Sequence, residues 1–202
     1  MLKIAVLISG GGSNLQSIID SIKKDSLDCS IEIVIADRPN IYGLERAAQN
    51  NIKAEVVDRK QYGRELSEKI YSLVRDKVDL IVLAGFLSIL NGDILKAFKN
   101  RIINIHPSLI PSFCGKGMYG IKVHESAIEY GVKFSGCTVH FVDDGTDTGA
   151  IICQKMVPVY ADDTAETLQN RVLVEEHKAL PEVIKLFSEG KIKKIGRKVI
   201  IE

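Results

Sequence analysis

The sequence predicts an α/β fold: an open, mostly parallel β-sheet with helices on both faces, built as a single domain over residues 1–202. Two observations predict it. Short, continuously apolar runs recur through the first half of the chain, as expected of strands buried on both faces. Segments with apolar residues at helical spacing separate them, and strands alternating with helices call for parallel pairing. Composition agrees: 46% of the 202 residues are hydrophobic and 26% charged, enough for a core that needs neither disulfide nor metal.

In chain order, residues 3–8 form the first apolar strand. A helix over residues 14–22 follows, with Leu15, Ile18, Ile19 and Ile22 on one side. Residues 31–36 are a strand, residues 42–49 a helix, residues 53–57 a short strand and residues 61–76 a helix. The strand at 80–83 ends in Ala-Gly, a helical piece covers 92–98, and residues 101–105 are the next strand. Residues 1–100 thus form a Rossmann-like half suited to nucleotide or phosphate binding.

Beyond Pro107 the character changes, and residues 108–119 have little periodicity and form a loop. Residues 124–130 read as a helix. Two strands at 134–142 and 151–159 are neighbours joined by Asp-Asp-Gly-Thr-Asp-Thr-Gly. A long amphipathic helix over 164–188 is expected to be interrupted or bent at Pro181, which lacks an N–H. Residues 193–201 close the chain as a hairpin turning at Gly196 and Arg197.

Charge and cysteine usage exclude several classes. The formal net charge is +1, without the basic run a nucleic-acid surface needs. Lys191, Lys193, Lys194, Arg197 and Lys198 are broken by Ile and Gly and read as the solvated face of terminal strands. No window approaches the ~20 apolar residues of a membrane helix. Cys29, Cys114, Cys137 and Cys153 are scattered, with no Cys-x-x-Cys and no histidine at ligand spacing, as expected for reduced thiols of a cytoplasmic protein without a metal site.

Three segments can carry chemistry. Ser9-Gly10-Gly11-Gly12-Ser13-Asn14 joins the first strand to the first helix. Its glycines permit a sharp turn, and the helix start presents N–H groups to an anion. It suits either a capped tight turn or a phosphate site. Asn104-Ile105-His106-Pro107-Ser108 leaves an apolar strand, where open α/β sheets place their sites. Asn104 and His106, two apart on extended chain, face the same side and can meet a developing oxyanion or move a proton. In Asp143-Asp144-Gly145-Thr146-Asp147-Thr148-Gly149 the spacing does not fit a calcium loop. An aspartate there packed against His106 would raise the histidine's pKa and fix its orientation. His140, in an apolar strand, suits a hydrogen-bonded core histidine as well as a functional one, and His124 and His177 lie on helices.

Together, Ser-Gly-Gly-Gly-Ser-Asn-Leu-Gln, Gly-Leu-Glu-Arg-Ala, Leu-Ala-Gly-Phe, Asn-Ile-His-Pro-Ser-Leu-Ile-Pro and Gly-Cys-Thr-Val-His-Phe-Val, with Asp147 following, resemble the phosphoribosylglycinamide formyltransferase family in content and order. The likeness runs from residue 3 to about residue 188 and implies the formyltransferase fold. It implies a 10-formyltetrahydrofolate co-substrate, no metal, small-molecule partners, and a monomer or weak homodimer. It assigns catalysis to Asn104, His106 and Asp147, and the ribonucleotide to Gly12, Ser13, Asn14 and Glu176. Folate would meet Arg59, Leu87, Ser88, Ile89, Leu90, Asn104, Asp143 and Asp144, so that residues 101–202 form the catalytic and folate half. Where many relatives carry a basic residue, this chain has Ser88. The Asn-x-His-Pro-Ser block is also shared with folate formyl hydrolases, in which water replaces the amine.

Overall fold

The computed structural model describes all 202 residues, Met1–Glu202. The N-terminal half contains β1 (Leu2–Ile8), α1 (Ser13–Lys23), β2 (Cys29–Ala36), α2 (Tyr42–Gln49), β3 (Ala54–Val56), α3 (Arg59–Tyr62), α4 (Leu66–Val74), β4 (Leu80–Leu83) and α5 (Asp93–Ala97). It continues with β5 (Ile102–His106), α6 (Ile121–Tyr130), β6 (Phe134–Phe141), β7 (Ile151–Pro158), α7 (Ala165–Ser188), β8 (Ile192–Ile195) and β9 (Lys198–Ile201). Seven strands form one sheet in the order β3-β2-β1-β4-β5-β6-β7, and β8 and β9 form a separate hairpin. Pairing is parallel from β3 to β5 and antiparallel from β5 to β7, so the expected mostly parallel sheet is observed.

Every residue of β1 from Ile4 onward is buried, and the alternation of a strand divides them between two cores. Ile4, Val6 and Ile8 join a cluster with Leu15 and Ile18 of α1 and Leu168, Val172 and Leu180 of α7. Ala5 and Leu7 point the other way, to a cluster with Leu66 and Ile70 of α4 and Ile94 of α5. A run that must be apolar on both faces is therefore continuous in hydrophobicity, which is why it was legible as a strand.

Two helical expectations are corrected. Residues 61–76 do not form one helix: Gly63, at φ +48°, ends α3, a 3₁₀ turn at Gly63–Glu65 follows, and α4 starts at Leu66. Pro181 does not interrupt α7, which continues from Ala165 to Ser188. Its Ala179, Leu180, Val183 and Ile184 are fully buried around Pro181, and that packing outweighs the one backbone hydrogen bond a proline forgoes. Thr164 opens the same helix with a capping box closed by Thr167. No helix is long and apolar enough to cross a membrane.

Candidate active site

Strand order reverses between β1 and β4, so the segments that follow them diverge and leave a crevice at the strands' carboxyl ends. Two bonds hold the edges of that crevice together: Ser9 N–H donates to Gly85 O at 3.0 Å, and Leu87 N–H to Ser9 Oγ at 2.8 Å. The resulting cavity, about 800 Å³, is walled by residues 9–14, 83–90 and 104–107, the loop at 115–120, Asp143, residues 145–147 and α7. That volume can take two small molecules side by side.

At its centre β5 presents Asn104 and His106, two residues apart and on one side of the strand as period-two geometry requires. Asn104 pairs in register with His140 of β6, and Asn104 Nδ2 stands 3.1 Å from His140 Nε2. His140 Nδ1 lies 2.8 Å from Phe141 O; a carbonyl only accepts, so Nδ1 carries hydrogen and Nε2 accepts from Asn104. By the same reasoning His106 Nε2, 2.9 Å from Phe113 O, carries its hydrogen there. Its Nδ1 faces Asp147 Oδ2 at 3.6 Å, and Asp147 Oδ1 lies 3.6 Å from His140 Nε2. Asp147 Oδ2 also accepts from Gly115 N–H at 2.9 Å. One carboxylate thus gathers both histidines and the loop.

Burial turns the net shift of the His106 pKa downward, although Asp147 raises it, as expected of an adjacent aspartate. The residue is 4% exposed, and burial lowers its pKa below the ordinary 6.5 despite the raising effects of the Phe113 carbonyl and Asp147. Burial pushes Asp147 up, but the adjoining His140 ring, the charge of His106 and the Gly115 N–H together hold it below the usual carboxylate value. A neutral imidazole beside an ionised carboxylate is poised to accept a proton at Nδ1.

Gly12, at φ +70°, precedes α1, and Ser13 and Asn14 occupy its first turn. Asn14 Nδ2 donates to Glu176 Oε2 of α7 at 2.6 Å, leaving Asn14 Oδ1 buried without a partner. Burial raises the Glu176 pKa, against the lowering effect of that bond. Leu87, Ser88, Ile89 and Leu90 line the opposite wall with Asp143. Arg59 and Asp144 are not part of the wall. Arg59 approaches it through buried Asp37, whose Oδ2 lies 3.8 Å from the guanidinium and accepts from Ser88 Oγ at 2.7 Å. No group of three or more histidine, cysteine, aspartate or glutamate side chains is arranged to hold a metal ion.

Residues 2–184 match the family model described as formyl transferase. This chain belongs to the formyl transferase family. It is 42% identical over 193 residues to the chloroplastic phosphoribosylglycinamide formyltransferase of Vigna unguiculata, covering 94% of this chain and 62% of that one. It is 42% identical over 194 residues to the trifunctional purine biosynthetic protein adenosine-3 of Gallus gallus, covering 95% of this chain and 19% of that protein. The chain therefore spans less than two thirds of the length of these curated relatives. A solved structure of glycinamide ribonucleotide transformylase 1 from Symbiobacterium toebii superposes with a TM-score of 0.93 at 44% identity, covering 100% of this chain and 94% of that one.

In this member of the formyl transferase family, His140 was undecided from the sequence, and the Phe113 carbonyl and the Gly115 N–H had no part there. His140 had a signal, a lone ring in an apolar strand; the two backbone groups had none. His124 is a further wall residue, 1% exposed, with Nδ1 unpaired. Burial, then the neighbouring His106, pushes its pKa down from 6.5 to about 4. The unfolded chain therefore binds more protons than the folded one between those values, so the stability His124 contributes is complete above 6.5 and lost as pH falls toward 4. Thermal melts should show Tm falling over that window, and His124→Gln should flatten the dependence. An unchanged slope in the variant would assign the effect to other groups.

Proposed function

We propose that the protein transfers the formyl group of 10-formyltetrahydrofolate to the amine of 5'-phosphoribosylglycinamide, giving formylglycinamide ribonucleotide and tetrahydrofolate in purine biosynthesis. One observation carries the reading: Asn104, His106, His140 and Asp147 share a single cavity with the glycine turn at residues 10–12. The names of the relatives support the same choice of substrates.

In this reading the glycine turn, Ser13 and Asn14 take the phosphate, Glu176 the ribose hydroxyls, and residues 87–90 with Asp143 the folate. Arg59 and Asp144 stand outside the wall and serve the folate's outer end. The amine nitrogen bonds to the formyl carbon, and the carbonyl oxygen becomes an oxyanion. That oxygen takes the Nε2–H of His106 in exchange for the Phe113 carbonyl, and the Asn104 N–H that His140 does not use. The proton released by the amine passes by way of water to His106 Nδ1, where ionised Asp147 stabilises the imidazolium. Collapse re-forms the carbonyl and breaks the bond from carbon to N10, which takes up, by way of water, the proton held on His106 and so returns the imidazole to its neutral form. No covalent enzyme intermediate and no metal take part.

We place the protein in the cytoplasm on its four free cysteines, two of them buried, and read it as a monomer or weak homodimer. The deciding measurement follows folate product from 10-formyltetrahydrofolate with and without glycinamide ribonucleotide. Product only in its presence supports the transferase; equal product without it indicates a hydrolase; none in either case rejects both.

A further inference from the structure

We propose that Arg46 and Gly43 of α2 are the back half of the phosphate site, positioning residues that aim and polarise its N–H donors without touching the phosphate. The proposal rests on the reading of the glycine turn as that site, and it gives the Gly-Leu-Glu-Arg block, which had no role, a physical task.

The geometry is direct. Gly43 N–H donates to Gly10 O at 3.1 Å, and Arg46 Nε to Gly11 O at 2.8 Å. The peptide bonds following Gly10 and Gly11 are trans, so each N–H points opposite to the carbonyl it shares a plane with. With both carbonyls turned back toward α2, the N–H groups of Gly11 and Gly12 are turned away from it. No group of the protein accepts from either of them, and both residues line the cavity. A guanidinium on the Gly11 carbonyl also polarises the Gly12 N–H across the same peptide, strengthening it as an anion donor.

The clamp is itself held in place. Arg46 Nη1 donates to Gln16 Oε1 at 3.0 Å, and its guanidinium carbon lies 4.7 Å from the centre of the Tyr42 ring. Gln16 belongs to the Ser-Asn-Leu-Gln block, so the two sequence blocks meet in one hydrogen-bonded unit. Contact at Gly43 is tight: a Cβ there would lie 2.4 Å from Ile8 Cδ1 and 3.0 Å from Gly10 O, so the Ile8 side chain would have to shift. One on Gly12 would lie 2.8 Å from Gly43 Cα. Two glycines back to back let the helix approach closely enough for a backbone N–H to reach the turn. Among the residues lining the cavity Lys116 is the one Lys or Arg, so the phosphate turn itself carries no cation and depends on the charge behind it.

The test measures binding by calorimetry for glycinamide ribonucleotide, for the phosphate-free glycinamide riboside and for tetrahydrofolate. The wild-type protein should prefer the phosphorylated ligand. Arg46→Gln should weaken the ribonucleotide by about tenfold or more, the effect of losing a charged hydrogen bond. It should leave the riboside and tetrahydrofolate as they were, and Arg46→Lys should recover part of the loss. Unaltered ribonucleotide affinity in Arg46→Gln would overturn the clamp, as would an equal loss for all three ligands, which marks general disorder. A wild-type protein that does not distinguish ribonucleotide from riboside would instead reject the phosphate reading of the turn, and the clamp with it.

Discussion

Replacing His106 by alanine is expected to lower turnover by roughly two to three orders of magnitude, about 3–4 kcal/mol of barrier, while the protein stays folded. Two functions are lost at once: the Nε2–H offered to the oxyanion and the Nδ1 site that takes up the amine's proton. The fold should tolerate the change because the ring stands at the cavity wall, bonded to the Phe113 carbonyl rather than enclosed in either apolar core. Single-turnover kinetics with both substrates, beside a melting curve, separate the two effects. Turnover close to wild type in a folded variant would remove His106 from the chemistry.

Asp147→Ala should cost at least about 3 kcal/mol of barrier for a different reason, since the residue supplies no donor to the substrate. Its carboxylate faces both histidines and accepts from Gly115, so its removal leaves His106 Nδ1 without a counter-charge and releases the loop. The sign of the accompanying titration follows from the geometry. Asp147 raises the pKa of His106 against burial, so without it that pKa falls further below 6.5. An NMR titration of the ring reads this directly. Slow turnover with an unmoved His106 titration would mean that Asp147 acts on the loop alone.

Much of this could be seen in the sequence, for identifiable reasons. Strands buried on both faces have no polar alternation, so residues 3–8 and 80–83 stood out as short apolar runs. Asn104 and His106 were legible together because a strand repeats every two residues. The break at Gly63 was less so, since a glycine inside helical spacing does not announce its positive φ. Pro181 misled because a local rule was overridden by burial of its neighbours. The approach of Asp147 to His106 reaches across the intervening loop, α6 and β6, and the downward shift of His106 depends on enclosure, which no local pattern encodes. His140 became assignable only once the register set it opposite Asn104.

The larger of the two apolar clusters runs from Ile4 to Ile184 and includes side chains of both α1 and α7. A boundary near residue 100 therefore separates kinds of chemistry without separating units that fold. Cut there, the first piece would expose Leu15, Ile18 and Ile19 of α1, and the second would lose the strand and helix on which α7 rests. The phosphate turn is consequently not a portable module. Recombining it with an unrelated acceptor half would require carrying α7 along, so new substrate pairings in this architecture are reached by changing loops on an undivided frame.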